Sequence, residues 1–423
     1  MPVNQLNLLK TSRFLPLFLT QFLGAFNDNV YKNSLVILIT YTLSNAVSFN
    51  PEILITLAAG IFILPFFLFS ALAGQLADTF EKSRLIRYTK LIEVTLAFIA
   101  CIGFYLHNIY LLMLVLFLLG TQATFFGPMK YSILPDHLKT EELIAGNALL
   151  EAGTFLAILL GTILGGILAM LHSGIFLVSI SIVVIALIGY FTSFFIPRAT
   201  IAAPNLKINL NIFIESFRIV KYTFQKRELL FSIIGISWFW LVGATYLSQF
   251  PTYAKDVLGA QSSVVTLFLT CFTAGIGIGS LFCNRLLKGK IKAIYAPYAA
   301  IAMAILGIDL VIATHYGVAK PNTLMSLTEF LSFLPNWHIL IDLLFISIAG
   351  GIYVVPLYTI LQYESEPSHR SRAIATNNIM NACFMVIAAI GTSLMLYLHF
   401  TVTHVFLVVA IINFFMAVYI KRL

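Results

Sequence analysis

Apolar runs long enough to cross a bilayer alternate with short polar breaks along the whole chain. They fall at roughly 14–41, 53–77, 87–106, 109–128, 144–171, 174–196, 229–252, 262–287, 293–314, 338–362, 372–399 and 402–420, twelve runs in all. A spanning helix needs about 20 mostly apolar residues, because the hydrocarbon core is about 30 Å thick and a helix rises about 1.5 Å per residue. Backbone groups in lipid have to be satisfied within the segment, so runs of this length predict helices. Two connections are long, at about 197–228 and 315–337. In the first, Ile212, Phe213, Phe217 and Val220 recur at helical spacing among basic residues, which predicts an amphipathic surface helix.

Composition agrees with this pattern. Residues are 60% hydrophobic and only 10% charged, and mean hydropathy is +0.96; soluble domains carry roughly a quarter charged residues. The net charge of +8 would suit a nucleic-acid binder if the cations were clustered on one surface, but their order along the chain says otherwise. Of the 25 Lys and Arg, all but Lys32, Lys255 and Lys320 fall on one side of the predicted spans. That side holds both termini, which requires an even number of spans. The rule that basic loops stay inside places both termini in the cytoplasm, where the basic loops also meet anionic lipid headgroups. The first run is too long for a signal-peptide core and lacks a small-residue cleavage site, which predicts an uncleaved anchor. The four cysteines, Cys101, Cys271, Cys283 and Cys383, show no metal or disulfide spacing and read as small buried residues.

The chain carries an internal echo. Asn147, Glu151, Gly161 and Thr162 in the fifth run are matched by Asn377, Asn381, Gly391 and Thr392 in the eleventh, at one constant interval. This divides the chain into a six-helix half (1–197), a basic cytoplasmic linker (198–228) and a second six-helix half (229–423). Between the second and third runs, Gly74, Asp78, Lys82 and Arg84 follow the spacing G-x-x-x-D-x-x-G-R/K-x-R/K, with Glu81 at the second glycine. The halves, the linker and the loop together resemble the major facilitator fold, an all-α membrane architecture of 12 helices in two pseudo-symmetric halves that rock around a central site. In the loop, Gly74 permits close helix approach, Asp78 is suited to a cation or a helix N-terminus, and Lys82 and Arg84 are the expected cationic partners of a gate latch. An ordinary basic loop is the alternative.

Charges within the spans are the strongest pointers to function, since each costs at least about 2.5–3.5 kcal/mol at mid-membrane unless paired or wet. Asp28 and Lys32 share a face of the first helix with Gln21 and Gly24; they form either a polar site or a structural pair. Glu151, with Asn147 one turn away, is a second candidate, and Lys130 is its natural partner. Glu93 reads as a partner of the basic loop, and Asp309 and Asp342 as solvated at outer helix ends. Asn377, Asn378 and Asn381 offer polar groups in the eleventh run. In the seventh run Trp238, Trp240, Thr245, Tyr246 and Gln249 offer a lining for an amphiphile's path, although an interfacial belt is the commoner role of such aromatics; the Gly275, Gly277, Gly279 run and Gly350-Gly351 pair fit close packing. An enzyme would need a clustered acid, base or nucleophile. His338 and Asp342 are one residue short of an acyltransferase-type His-x4-Asp motif, and there is no P-loop or metal-spaced histidine cluster.

Several strings carry a more specific resemblance. Gln21 to Asn29 (QFLGAFNDN), Gly74 to Asp78, Gly127 to Leu134 (GPMKYSIL), Asn147 to Ala152 (NALLEA) and Val355-Pro356-Leu357 are similar to the lysophospholipid transporter (LplT-like) branch of the facilitator superfamily. The resemblance implies movement of lysophosphatidylethanolamine and lysophosphatidylglycerol across a bacterial inner membrane for reacylation. In relatives an acyltransferase and an acyl-carrier-protein ligase are fused to the transporter or encoded beside it, which implies such a partner, as a separate protein, here; no cofactor and no metal are expected. It marks Asp28, Lys130, Asn147 and Glu151 as polar-site residues. Some relatives have a basic residue in the seventh span, which this chain lacks; Lys32 is the alternative cation. A proton-coupled facilitator for another amphiphile, drug, siderophore or metabolite, and a scaffold for a lipid-acylating enzyme, remain open on the residues alone.

Overall fold

The computed structural model describes residues 5–41, 51–317 and 323–423; Lys320, expected in an outer loop, lies outside them. Twelve long helices are present among the described residues. The first six are α1 (Leu15–Tyr41), α2 (Pro51–Thr79), α3 (Lys82–Tyr105), α4 (Ile109–Ser132), α5 (Leu143–Met170) and α6 (Gly174–Ser193). The second six are α7 (Arg227–Thr252), α8 (Ser262–Leu287), α9 (Ala296–Gly317), α10 (Leu334–Glu364), α11 (Arg370–Tyr397) and α12 (Val402–Ile420). Ten of them are long and apolar enough to cross a membrane. The two that fall short are α1 and α3, where polar residues concentrate: Asn27, Asp28, Asn29, Lys32 and Asn33 in one, Lys82, Arg84, Arg87, Lys90 and Glu93 in the other.

α3 starts more than a turn before the apolar run predicted for it, because Glu81 caps it. The Glu81 carboxylate accepts from the N–H groups of Ser83 and Arg84, both at 2.9 Å. It also accepts from Ala199 N–H, 2.9 Å away in the chain that leaves α6. Burial pushes this carboxyl up, but those N–H donors and the Ser83 hydroxyl outweigh it, so the net shift is downward. A side chain at the position where the loop pattern has glycine thus ties the loop to the linker.

Helix pairing repeats with the index raised by six. In the first half α1 packs on α5 and α6, α2 on α4, and α3 on α4 and α6. In the second, α7 packs on α11 and α12, α8 on α10, and α9 on α10 and α12. The halves meet through α2 against α11 and α5 against α8, with α4 also reaching α11 and α5 reaching α10. Both ends of the described chain lie at one end of the bundle, here the basic end: Gln5 donates to the Leu281 carbonyl near the end of α8, and Arg227 to the Arg422 carbonyl.

The linker helix, Ile212–Phe224, runs along α2 and α11. It buries Glu215, Ile219 and Thr223, spaced by four, and exposes Phe213, Ile214 and Phe217. Apolar residues therefore occupy both faces, one turned to the protein and one away from it. Tyr222 and Lys226 reach across to the Glu366 carboxylate between α10 and α11, and the Lys226 ammonium holds that carboxyl below its ordinary range.

The apolar core is divided unevenly. One continuous cluster runs through the second half and the basic end of the first, including Phe14, Ile144, Tyr358 and Ile374. The rest of the first half has its own cluster, around Tyr31, Phe104, Leu112 and Ile182. The halves therefore share a core at the basic end. Glycines allow the tightest crossings, as their spacing predicted. A Cβ on Gly279 would stand 1.9 Å from the Ile348 carbonyl oxygen and 2.9 Å from its Cα, so α8 and α10 touch backbone to backbone. Gly60 has open space at the same point. Gly279→Ala is expected to destabilise the protein by about 1–3 kcal/mol or more, whereas Gly60→Ala leaves stability unchanged or slightly raised. Thermal unfolding in detergent, followed by tryptophan emission, checks this; equal midpoints for the two variants would contradict the packing.

Candidate functional site

A cavity of about 370 Å3 lies between the halves. The first half contributes most of its polar wall, and each charge is placed by its helix register. Asp28 and Lys32, one turn apart on α1, both line it, and Lys130 projects from the end of α4. The Lys32 ammonium sits 4.3 Å above the Phe62 ring and the Lys130 ammonium 4.5 Å above the Tyr131 ring, arrangements that let a cation rest in a weakly polar wall. Apolar lining comes from Phe62, Ile63, Phe66, Phe126, Ile158 and Met385.

Lys90 also lines this cavity, and reading by charge order had left it among the loop cations. It forms a buried ion pair with Glu93, 2.6 Å apart, with each side chain only 1% exposed. The same carboxylate accepts from Gln122 at 3.1 Å and Asn27 at 3.3 Å. Glu93 is therefore not a partner of the basic loop; an i,i+3 step along α3 points it at Lys90, inside the bundle. Gly24 makes room for this pair, since a Cβ there would stand 2.3 Å from the Lys90 nitrogen. Two opposite charges three residues apart in an otherwise apolar run were the signal available in the sequence.

The floor of the cavity is aromatic. Tyr131 from α4 and Tyr358 from α10 stack across the halves, with ring centroids 4.6 Å apart and planes 8° from parallel. Tyr131 donates to the Glu151 carboxylate at 2.5 Å, and Trp240 donates to the Tyr358 hydroxyl at 2.9 Å. Trp240 lines the cavity and Trp238 is buried against Asn413, so these indoles do not form an interfacial belt; the α7 register turns them inward. Glu151 is fully buried behind Tyr131 and is not part of the lining. Lys130 is close enough to share its field. One oxygen each of Asp28 and Glu151 is buried with no hydrogen-bond donor among the described residues.

Below the floor the two halves lock together. Asn147 and Gln362 exchange reciprocal amide hydrogen bonds, both 2.8 Å, and Asn147 also donates to Thr359. Asn147 is thus an inter-half contact and not a cavity residue in this conformation. Asn377 is buried outside the lining, while Asn378 and Asn381 reach it; Ser237 donates to Asn381 at 2.8 Å.

Nearer the end, Gly74 brings α2 against α11, where a Cβ would stand 2.9 Å from the Arg372 Cα. Asp78 accepts from the Ser371 N–H and the Arg372 Nε–H, both at 3.0 Å. It therefore faces a helix N-terminus and a cation at once, and both come from the second half. Lys82 and Arg84 are not its partners. Lys82 pairs with Asp136 at 2.9 Å, whose other oxygen faces Arg370 at 3.7 Å, and the Arg84 side chain is exposed at the surface. Ser132 and Ser371 hydroxyls meet at 3.0 Å in the same buried layer. A larger cleft of about 700 Å3, with Glu228, Lys292, Glu364 and Lys421 in its wall, lies at the basic end of the second half and includes none of the buried charges of the first.

Comparison with known proteins agrees with this architecture. Residues 17–320 match the family described as Major Facilitator Superfamily. The chain is 28% identical over 362 residues to the lysophospholipid transporter LplT of Citrobacter koseri, covering 85% of this chain and 82% of that protein. It is 29% identical to the same transporter from Escherichia coli, with the same coverage. In structure it resembles the Escherichia coli fucose:proton symporter, with a TM-score of 0.72 at 12% identity over 97% of this chain and 98% of that one. A bacterial homologue of the iron transporter ferroportin in an outward-facing state gives a TM-score of 0.69 at 14% identity, covering 96% of this chain and all of that one.

Removing the Asp78 charge isolates its part in the lock. A hydrogen bond to a charged group contributes about 1.5–3 kcal/mol, so Asp78→Asn is expected to raise the population opened at the basic end by roughly tenfold or more. The readout is modification by a water-soluble maleimide of a cysteine introduced at Thr359. An unchanged rate would show that Asp78 does not hold this end shut.

Proposed function

The chain belongs to the Major Facilitator Superfamily, and on that premise we propose that it moves lysophospholipids across a bacterial inner membrane by alternating access. The observation that carries this reading is the cavity between the halves. Three lysines and three carboxylates gather in and around it, Lys32, Lys90 and Lys130 with Asp28, Glu93 and Glu151, beside a wall of Phe, Ile and Met. A phosphate-bearing headgroup needs cations, the ethanolamine ammonium needs a carboxylate, and the single acyl chain needs an apolar route out between helices. Asp28, with one buried oxygen lacking a donor, is the group assigned to a headgroup ammonium. Lys32 and Lys130 are assigned to the phosphate. Similarity to the curated LplT transporters supports the same substrate class.

In this reading the basic end faces the cytoplasm, so the described state is closed inward. Asp78, Asn147 and the Tyr131–Tyr358 stack form the inner gate, and residues 198–228 form the cytoplasmic linker between the halves. Imported lysolipid passes to a separate acyltransferase for reacylation. The donorless carboxylate oxygens of Asp28 and Glu151 favour one other reading, a proton-coupled facilitator for a different amphiphile, in which these groups carry the proton.

Vesicles reconstituted with the protein and labelled lysophosphatidylethanolamine in one leaflet separate the two. Transfer faster than in empty vesicles is expected. Asp28→Asn should lower the rate by about tenfold or more, equivalent to about 1.4 kcal/mol or more, at unchanged protein level. No acceleration by the wild-type protein, with uptake of other solutes following an imposed pH gradient, would replace the first reading with the second.

A further inference from the structure

A second cluster lies away from the cavity, in the other half. α9 contributes Asp309, and the first turns of α10 contribute His338 and Asp342, four residues apart on one face. The His338 Nε2 is 3.0 Å from an Asp309 oxygen and 3.7 Å from an Asp342 oxygen. One ligand atom from each residue lies within 4.8 Å of the others. The sequence placed both aspartates as solvated helix-end residues, and for Asp342 this is wrong. Its side chain is 3% exposed, against 43% for Asp309 and 51% for His338, on a helix that packs along α9.

Hydrogen bonding leaves this cluster unfinished. An imidazole nitrogen carries at most one hydrogen, and the Nε2 of His338 is in hydrogen-bonding range of Asp309 alone. Asp342 Oδ2, at 3.7 Å, is too far to share it and has no other donor among the described residues. A buried carboxylate oxygen without a partner is costly, and it is aimed at two other metal-ligating groups. A single dication would satisfy all three at once. Zinc takes imidazole and carboxylate ligands at about 2.0–2.2 Å, which sets tetrahedral ligand atoms about 3.3 Å apart, inside the range of separations seen here. The exposed side of Asp309 and His338 leaves an entry path and room for water at the fourth position.

We propose that Asp309, His338 and Asp342 bind a divalent transition-metal ion of the zinc type, which staples α9 to α10 on either side of their long connection. One imidazole with two carboxylates suits such an ion better than calcium or magnesium, which prefer all-oxygen shells. Pair-spacing rules for metal motifs miss the site, because the third ligand comes from a different helix.

The test uses the full-length chain in detergent, without a histidine tag, stripped by chelator and titrated with Zn2+ by calorimetry. One saturable ion per chain is expected, together with a higher thermal midpoint on binding. His338→Ala, Asp309→Asn and Asp342→Asn should each weaken binding at least about tenfold, as expected for loss of a ligand. Asp342→Asn alters a buried group; if it does not fold, the two exposed positions decide the matter. Absence of saturable Zn2+ binding would overturn the proposal. So would binding unchanged in His338→Ala and Asp309→Asn, or saturable binding of Ca2+ or Mg2+ in preference to Zn2+.

Discussion

An ionised side chain in the middle of a helical bundle in lipid has two stable outcomes: it finds an opposite charge, or it borders water. The first half of this protein uses both. Lys90 and Glu93 form a dry pair, each almost fully buried, while Asp28, Lys32 and Lys130 border the cavity. Much of the surrounding packing follows from that requirement. Gly24 is small because the Lys90 ammonium stands where a Cβ would be. Gln122 and Asn27 turn their amides to the Glu93 carboxylate, and aromatic rings lie against each of the three lysines. α1 and α3 carry so much polar surface that they are the least lipid-like of the long helices; α1 turns Asp28 and Lys32 to the cavity and α3 buries Lys90 and Glu93, while Arg84 stays at the basic end, exposed.

The same economy of charge shapes the basic end. Asp78 is buried, and it is satisfied by groups from the other half, the N-terminus of α11 and the Arg372 guanidinium. An interaction of this kind exists only while the halves are together at that end. The Asn147–Gln362 amide pair and the tyrosine stack depend on the same apposition. These contacts are polar or stacked and lie beside the apolar core that the halves share at this end, so parting them exposes groups that water can hydrate as well as apolar ones. That property suits an interface which has to open, and it connects the closed end to the proposed alternation of access.

Much of the fold was legible in the sequence, because span length and charge order are imposed by the bilayer and survive without tertiary information. The constant interval between Asn147 and Asn377, and between Glu151 and Asn381, pointed to two equivalent halves. Individual partners were less legible. Lys82 and Arg84 stand close to Asp78 in the chain, yet Arg372 takes the pair because α11 begins against α2. Charge order assigns Lys90 to the basic side with Arg84 and Arg87, whereas the α3 register turns it inward to Glu93. Asn147 belongs to the right helix but to the lock below the floor. Asp342 was read as wet because it lies near a helix start; the packing of α9 over α10 dries it. In each case the error concerns which face a helix presents, and that is decided by its neighbours rather than by its own residues.

The central claim is that the two halves part at the basic end during each transport cycle. Ser132 and Ser371, with hydroxyls 3.0 Å apart across the interface, provide the direct test. Both would be changed to cysteine in a protein lacking its four native cysteines, and the pair oxidised to a disulfide before lysophospholipid transfer is measured in vesicles. The account predicts that oxidation abolishes transfer and that reduction restores it. Transfer at the full rate through the cross-linked protein would contradict it.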